Sequence, residues 1–277
     1  MLPSIFSSGI NQINILVGTI IASFQVGAVS YLYYADRVYQ INLAIAGIAV
    51  STVSLPALSK AIKNKSLKLI TKIQNKSIEL CLLLSLPAGI GLIFASNEIV
   101  SSLFGYGSFN EENIKLTASA LKYFGYGVPA FSLIKIMSNL FFARDNTNTP
   151  FKISLIVVII NVSISLIYFR EVGFLIIPLA TSISTWTGVL IYIFILSSKN
   201  YLMVDENTYK NVLKIIVATF VMTILLIFLL TFLSEKFVYN SYYKILYLLF
   251  VIFLAAATYF ILCYLFGILK IKNYKTN

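Results

Sequence analysis

Histidine is missing from this 277-residue chain, and acids are scarce, at ten aspartates and glutamates. Without histidine, no side chain titrates near neutrality in its ordinary state, which removes the commonest general acid and base. Of the acids, only Asp36 falls deep in an apolar stretch, with Glu79 at the end of another. Paired carboxylates at depth, a metal-ligand cluster and a phosphate-cradling glycine loop are all lacking. The usual enzyme chemistries are therefore excluded, and no catalytic residue, metal or cofactor is expected. Cysteine is almost absent too: Cys81 and Cys263 lie far apart, each inside an apolar run, and read as small hydrophobes rather than a disulfide or metal pair.

What is present is apolar. Hydrophobic residues make up 59% of the chain and charged residues 11%, with a mean hydropathy of +0.89, against roughly 45–50% and 25% in soluble domains. A bilayer span takes about 20 residues at about 1.5 Å each. Eight stretches meet that length, at 3–25, 29–57, 78–97, 116–142, 151–169, 173–197, 212–234 and 243–269. The expected class is all-α and polytopic. Met1 is followed by Leu-Pro and a full spanning stretch, so no cleavable signal is expected. The first span is polar for its kind, and Asn11, Asn14 and Gly18 recur at helical spacing, so they are expected to share a face turned to protein or water.

Basic residues set an expected orientation. Lys60, Lys63, Lys65, Lys68, Lys72, Lys76, Arg144, Lys152, Lys199, Lys210, Lys214, Lys270, Lys272 and Lys275 fall on one side of the eight spans. Only Lys115, Lys122, Arg170, Lys236 and Lys244 fall on the other. The richer side is expected to be cytoplasmic, with both chain ends there, and Tyr242, Tyr243 and Tyr264 as interfacial anchors. The net charge of +11 does not point to nucleic acid, because its densest run, Lys60 to Lys76, adjoins a span and suits anionic headgroups. Ile62, Leu67, Leu69, Ile70 and Ile73 alternate with those lysines, which predicts a helix lying on the membrane surface.

The second span carries the strongest chemistry, in Tyr33-Tyr34-Ala35-Asp36-Arg37. A charge at membrane depth costs roughly 3 kcal/mol on insertion scales. Asp36 and Arg37 are adjacent and point about 100° apart, so they cannot simply neutralise each other. Tyr33 and Gln40, on the same helix face, could orient the guanidinium, and Asn14 of the first span could receive Asp36. A guanidinium there offers a planar, always-charged fork for phosphate oxygens; the competing reading is a buried ion pair that fixes helix register. Lys135 is the second deep charge, a ligand or a lysine that snorkels to the interface. Gly125, Gly127 and Pro129 in the same span, like Pro56 and Pro87 elsewhere, admit a hinge or close helix packing. Asn161, Ser165, Thr181, Ser182, Ser184 and Thr185 could ligate sodium, but no carboxylate accompanies them, so hydrogen bonds between helices are expected.

The run from Tyr33 to Arg37, then Gly47-Ile48-Ala49-Val50 and Leu55-Pro56-Ala57-Leu58-Ser59-Lys60, resembles the MurJ/MviN lipid II flippase family of the multidrug/oligosaccharidyl-lipid/polysaccharide exporter superfamily. Gln12, Ala22-Ser23-Phe24, Leu86-Pro87, Leu103-Phe104, Tyr106-Gly107-Ser108-Phe109, Lys135, Arg144 and Thr149-Pro150-Phe151-Lys152 extend the resemblance over essentially the whole chain. It implies a bacterial plasma-membrane transporter of a lipid-linked peptidoglycan precursor, built in that family from two six-helix lobes and a final helix pair. Residues 1–197 would match the second lobe and 198–277 the pair, which would border a groove for the polyprenyl tail; a first lobe is an expected partner. Arg37 would be the cavity arginine facing the lipid pyrophosphate, with Asp36, Lys135, Tyr33, Gln40, Asn11 and Asn14 as further substrate-binding candidates. The family's Asp-Thr-Lys/Arg-Thr-Pro loop reads Asn146-Thr147-Asn148-Thr149-Pro150 here, with Asp145 displaced by one place. A drug or polysaccharide-lipid exporter of the same superfamily and a non-transporting half-protein scaffold are the rivals.

Overall fold

The computed structural model describes residues 2–237 and 243–269, with side chains from Gln12 onward in those ranges. It is a helical bundle of α1 (Leu2–Ser23), α2 (Ala28–Leu43), α3 (Ala49–Lys63), α4 (Leu67–Phe94), α5 (Ser96–Phe104), α6 (Glu111–Gly125), α7 (Val128–Phe142), α8 (Asn148–Val172), α9 (Ile176–Ser198), α10 (Glu206–Phe232) and α11 (Lys244–Leu265). No strand occurs among the described residues. Each of the eight expected spans has a helical counterpart, although several are longer or divided. The second is a 36-residue rod, Ala28–Lys63, in which a π-helical turn, Ala44–Ile48, joins α2 to α3. The fourth is split at Tyr126-Gly127 into α6 and α7, each 15 residues long.

Five described runs are long and apolar enough to cross a membrane, one of them Asn148–Ser198. That run is a hairpin, since Gly173 (φ 70°) reverses the chain and Asn161 of α8 donates to Thr181 of α9 at 3.1 Å. A β-carbon at Gly173 would lie 2.8 Å from the Gln25 side-chain oxygen, which accepts the Phe174 amide N–H at 2.9 Å. The α1–α2 turn is thus fastened to the α8–α9 turn.

The expected surface helix across Lys60–Lys76 does not form. α3 continues to Lys63 and α4 starts at Leu67, after a turn closed by Lys65 at φ 51°. Part of the apolar set of this run completes the ends of two spans: Ile70 packs with Leu58, Ala61, Ile78 and Cys81 in a buried cluster, with Ile62 and Ile73 against it, while Leu67 and Leu69 stay exposed. Burial between helices removes more apolar surface from water than contact with headgroups could. All six lysines stay exposed around this tip, referred to below as the basic end.

Two cores hold the bundle. The cluster at the basic end also takes in Phe141, Ile153, Tyr192 and Leu196 from α7, α8 and α9. The other contains Leu92, Val100, Leu121, Phe124 and Phe174 and continues along α10 and α11 through Ile215, Met222, Val251 and Tyr259. Cys81 and Cys263 are both buried and free, as the sequence suggested.

Of the two readings of the glycines, close packing applies to α4 and α6. A β-carbon at Gly89 would meet the Gly125 carbonyl oxygen at 3.0 Å, and one at Gly125 would meet the Gly89 oxygen at 3.1 Å. Gly91, two residues on, has nothing within 4 Å of its own. Gly89→Val is expected to lower stability by about 1–3 kcal/mol through overpacking. Gly91→Ala should raise it by roughly 0.5–1 kcal/mol by restricting the unfolded chain. Thermal unfolding of the purified variants in detergent reads both signs, and a shared sign would refute the assignment.

Candidate functional site

The site begins with how α2 is held. Its buried face is Ala28, Ala35, Val38 and Tyr39. The Tyr39 ring stacks on Phe124 at 4.9 Å between centroids and meets Phe131 edge-on at 5.7 Å. Tyr34 lies against Phe104 and Phe109, at 4.8 and 5.4 Å. These rings fix the rotation of the helix about its axis, because each fits only one orientation. The same rotation leaves Tyr33, Arg37 and Gln40 exposed.

On that exposed face the Arg37 guanidinium stacks over the Tyr33 ring, 4.7 Å from its centroid. Among the described residues no carboxylate lies within ion-pair distance of it; the two ion pairs found are Lys76–Glu79 and Lys210–Glu206. Asp36, half-buried, accepts a hydrogen bond from the Gln40 side-chain amide. Gln40 therefore serves Asp36 rather than Arg37. Asn14 does not receive Asp36 either; it lines a cavity with Lys135. The Asn11 side chain lies outside the described residues, as does Tyr242. Arg37 is thus held by an aromatic ring that leaves its five N–H donors unspent.

Beyond the π-turn the same rod borders a cavity of about 500 Å3 walled by α3, α7, α8 and α9. Lys135 enters it with Ser51, Thr52, Ser138, Asn139, Thr185 and Tyr192. α3 is pinned to α7 here. The Asn139 amide donates to the Ser51 carbonyl at 2.8 Å, to the Ser51 hydroxyl at 2.9 Å and to the Ser54 hydroxyl at 3.1 Å. Gly47, inside the π-turn, would place a β-carbon 3.2 Å from the Ser132 backbone. Asn139 was not singled out in the sequence, though its place one turn after Lys135 on an apolar helix was a usable signal.

Among the polar residues of α8 and α9, Asn161 bonds across to Thr181 at 3.1 Å and Ser182 donates to the Tyr123 carbonyl of α6 at 2.6 Å, the bonds between helices that were expected. Ser165 donates instead to Asn161 of its own helix at 3.2 Å, and Thr181 to its own Ile177 carbonyl at 2.8 Å. No group of three or more acids or cysteines suited to a metal occurs among the described residues. In the departing loop, Asn146 accepts the Thr149 N–H at 3.1 Å and so caps the start of α8, the task an aspartate would perform there. Arg144 turns instead onto Tyr201, 4.1 Å from its centroid.

The family model described as "Lipid II flippase MurJ" matches residues 1–248. A probable lipid II flippase MurJ of Rhizobium tropici is 35% identical over 79% of this chain and 41% of its own length. One of Rickettsia prowazekii is 41% identical over 66% of this chain and 36% of its own. The chain thus spans about two fifths of these relatives. A solved lipid II flippase MurJ in an inward closed conformation superposes with a TM-score of 0.80 at 27% identity, over 96% of this chain and 53% of that one. An outward-facing multidrug resistance MATE transporter of the MOP superfamily aligns at 0.60 and 18% identity, over 93% and 61%, a likeness of fold.

Proposed function

Because this chain belongs to the lipid II flippase MurJ family, we propose that its Arg37 face binds the pyrophosphate of an undecaprenyl-linked peptidoglycan precursor and helps carry it from the inner to the outer leaflet. The observation that supports this is the exposed guanidinium beside Tyr33 in an apolar helix, with no carboxylate within 4 Å of it among the described residues. A buried ion pair that merely set register would bury Arg37 with a carboxylate within 4 Å, whereas Arg37 is exposed and among the described residues no carboxylate lies that close. Asp36 and Gln40 shape the polar patch next to the fork; Asn14 and Lys135 extend the polar path toward the basic end, and Asn11 is a further candidate on the first helix.

The proposed cycle is one of alternating access. Arg37 attracts the pyrophosphate from the cytoplasmic side, the second lobe of residues 1–197 rocks against a partner first lobe, and the lipid tail stays in the bilayer beside α10 and α11 of the 198–277 unit. The basic end faces the cytoplasm in this reading, and both ends of the chain lie on that side. Depletion of the protein from its cell tests the cargo, since lipid II should accumulate on the inner leaflet. Unchanged lipid II with new drug sensitivity would assign a related exporter instead, and neither effect would assign a scaffold.

A further inference from the structure

The cavity beside Lys135 is richer in acceptors than in donors. Most of its hydroxyl protons are spent on backbone carbonyls: Thr52 on Ile48 at 2.8 Å, Ser138 on Lys135 at 3.0 Å, Ser184 and Thr185 on Thr181 at 3.1 and 2.5 Å. The Asn139 amide is spent on Ser51 and Ser54. Besides Lys135, the Asn14 amide and the Ser154 and Tyr192 hydroxyls are the donors left in its lining. What the spent groups still present to the cavity is oxygen lone pairs, since a hydroxyl has one proton and two acceptor sites. The Lys135 side chain is exposed to the cavity, and among the described residues no acid lies within ion-pair distance of it. An occupant that matches these walls donates N–H or O–H bonds along most of its surface and brings one anion to the ammonium. An acylated peptide with a free carboxylate has that pattern; a phosphate, which is all acceptor, leaves most of these lone pairs unmet.

Position adds a second constraint. The Ser51 hydroxyl donates to the Lys135 carbonyl at 3.4 Å, so the base of Lys135 is level with Ser51. Ser51 lies fourteen residues beyond Arg37 on the same rod, about 21 Å of helical rise. One pyrophosphate cannot bridge that interval. An elongated head group, anionic at both ends, can. The volume of about 500 Å3 suits a fragment of drug size.

We propose that this cavity is a subsite for the carboxylate-bearing peptide end of the cargo, with Lys135 holding the carboxylate and the hydroxyl and carbonyl oxygens of α3, α7 and α9 accepting its amide protons. The proposal rests on the reading of the cargo as a lipid-linked peptidoglycan precursor, and deepens it.

The test uses the full chain in lipid nanodiscs, titrated with acetyl-dialanine, with its C-terminal carboxamide and with inorganic pyrophosphate, binding being read by saturation-transfer NMR. Acetyl-dialanine should bind at least tenfold more tightly than the carboxamide. Lys135→Met should bring the two within about twofold, and Lys135→Arg, which keeps the charge, should preserve the difference. Pyrophosphate binding should survive Lys135→Met and weaken in Arg37→Ala. Equal binding of acid and amide, no measurable binding of either, or an unchanged preference in Lys135→Met overturns the subsite. Loss of pyrophosphate binding in Lys135→Met would assign the cavity to phosphate, and saturable sodium binding that competes with the peptide would assign it to a cation; either overturns it as well. Pyrophosphate binding that ignores Arg37→Ala, with the peptide results intact, overturns the Arg37 reading alone.

Discussion

Arg37→Ala, introduced into a complete transporter, is expected to abolish rescue of a flippase-depleted cell while the protein still inserts at wild-type levels. Hydrogen bonds to charged groups contribute about 1.5–3 kcal/mol each, so losing a two-pronged contact with a pyrophosphate should weaken cargo binding on the order of a hundredfold or more. Insertion should not suffer, because alanine removes a side chain whose depth costs roughly 2.5–3.5 kcal/mol, and α2 keeps its anchors through Tyr34 and Tyr39. Arg37→Lys keeps the charge but loses the planar fork and should rescue only in part. Tyr33→Leu removes the ring beneath the guanidinium, a contact of about 0.5–2 kcal/mol, and should fall between. Growth after depletion and the leaflet distribution of lipid II check all three. Full rescue by the alanine variant would show that the guanidinium has no part in cargo binding.

How far the sequence reaches differs between elements. The spans were legible because sustained apolar runs leave few alternatives in a bilayer, and Arg37 because a charge in such a run is conspicuous. The exposed stripe of Tyr33, Arg37 and Gln40 follows from helical spacing. The π-turn at Ala44–Ile48 does not, since its composition, Ala-Ile-Ala-Gly-Ile, suits an ordinary helix equally well; packing of Gly47 on Ser132 coincides with it. The short helix α5, Ser96–Phe104, was merged into the loop after the third span, because nine residues are too few for periodicity to stand out. Lys60–Lys76 misled for a different reason: an amphipathic pattern identifies a helix face that seeks burial, but not whether lipid headgroups or another helix bury it. Partners of polar groups were the least legible, since Gln40 with Asp36 is a local pairing but Asn139 with Ser51 depends on how two distant helices meet.

Glu79 illustrates that last class, and its replacement carries the second large expected effect. The sequence marks it only as an acid at the end of a span, yet it is buried and accepts from the Thr208 hydroxyl at 3.1 Å and the Asn211 amide at 2.9 Å, both on α10, with Lys76 at 3.5 Å. The linker beside it is held as well. With its side-chain amide in the bonding orientation, Gln74 donates to the Tyr201 carbonyl at 2.9 Å and accepts from the Met203 N–H at 2.8 Å. Farther along, the Tyr259 hydroxyl donates to the Leu83 carbonyl at 2.7 Å, and Lys244 donates to the Gly105 carbonyl at 2.7 Å. The α10–α11 pair is therefore fastened to α4 and its neighbours at three levels, and Glu79 is the charged acceptor of the set at the basic end. Glu79→Ala should leave the buried Thr208 hydroxyl without its acceptor, at about 1–3 kcal/mol, and the half-buried Asn211 amide at less, and lower the melting temperature on the order of 5–10 °C for a chain of this size. Glu79→Gln retains an acceptor oxygen and should lose much less. Because the fastening at the other two levels remains, the damage should concentrate where α9 passes into α10, making residues 199–205 the first site of limited proteolysis in the alanine variant. A melting temperature and cleavage pattern equal to wild type would show that α10 is held to α4 by its apolar contacts alone.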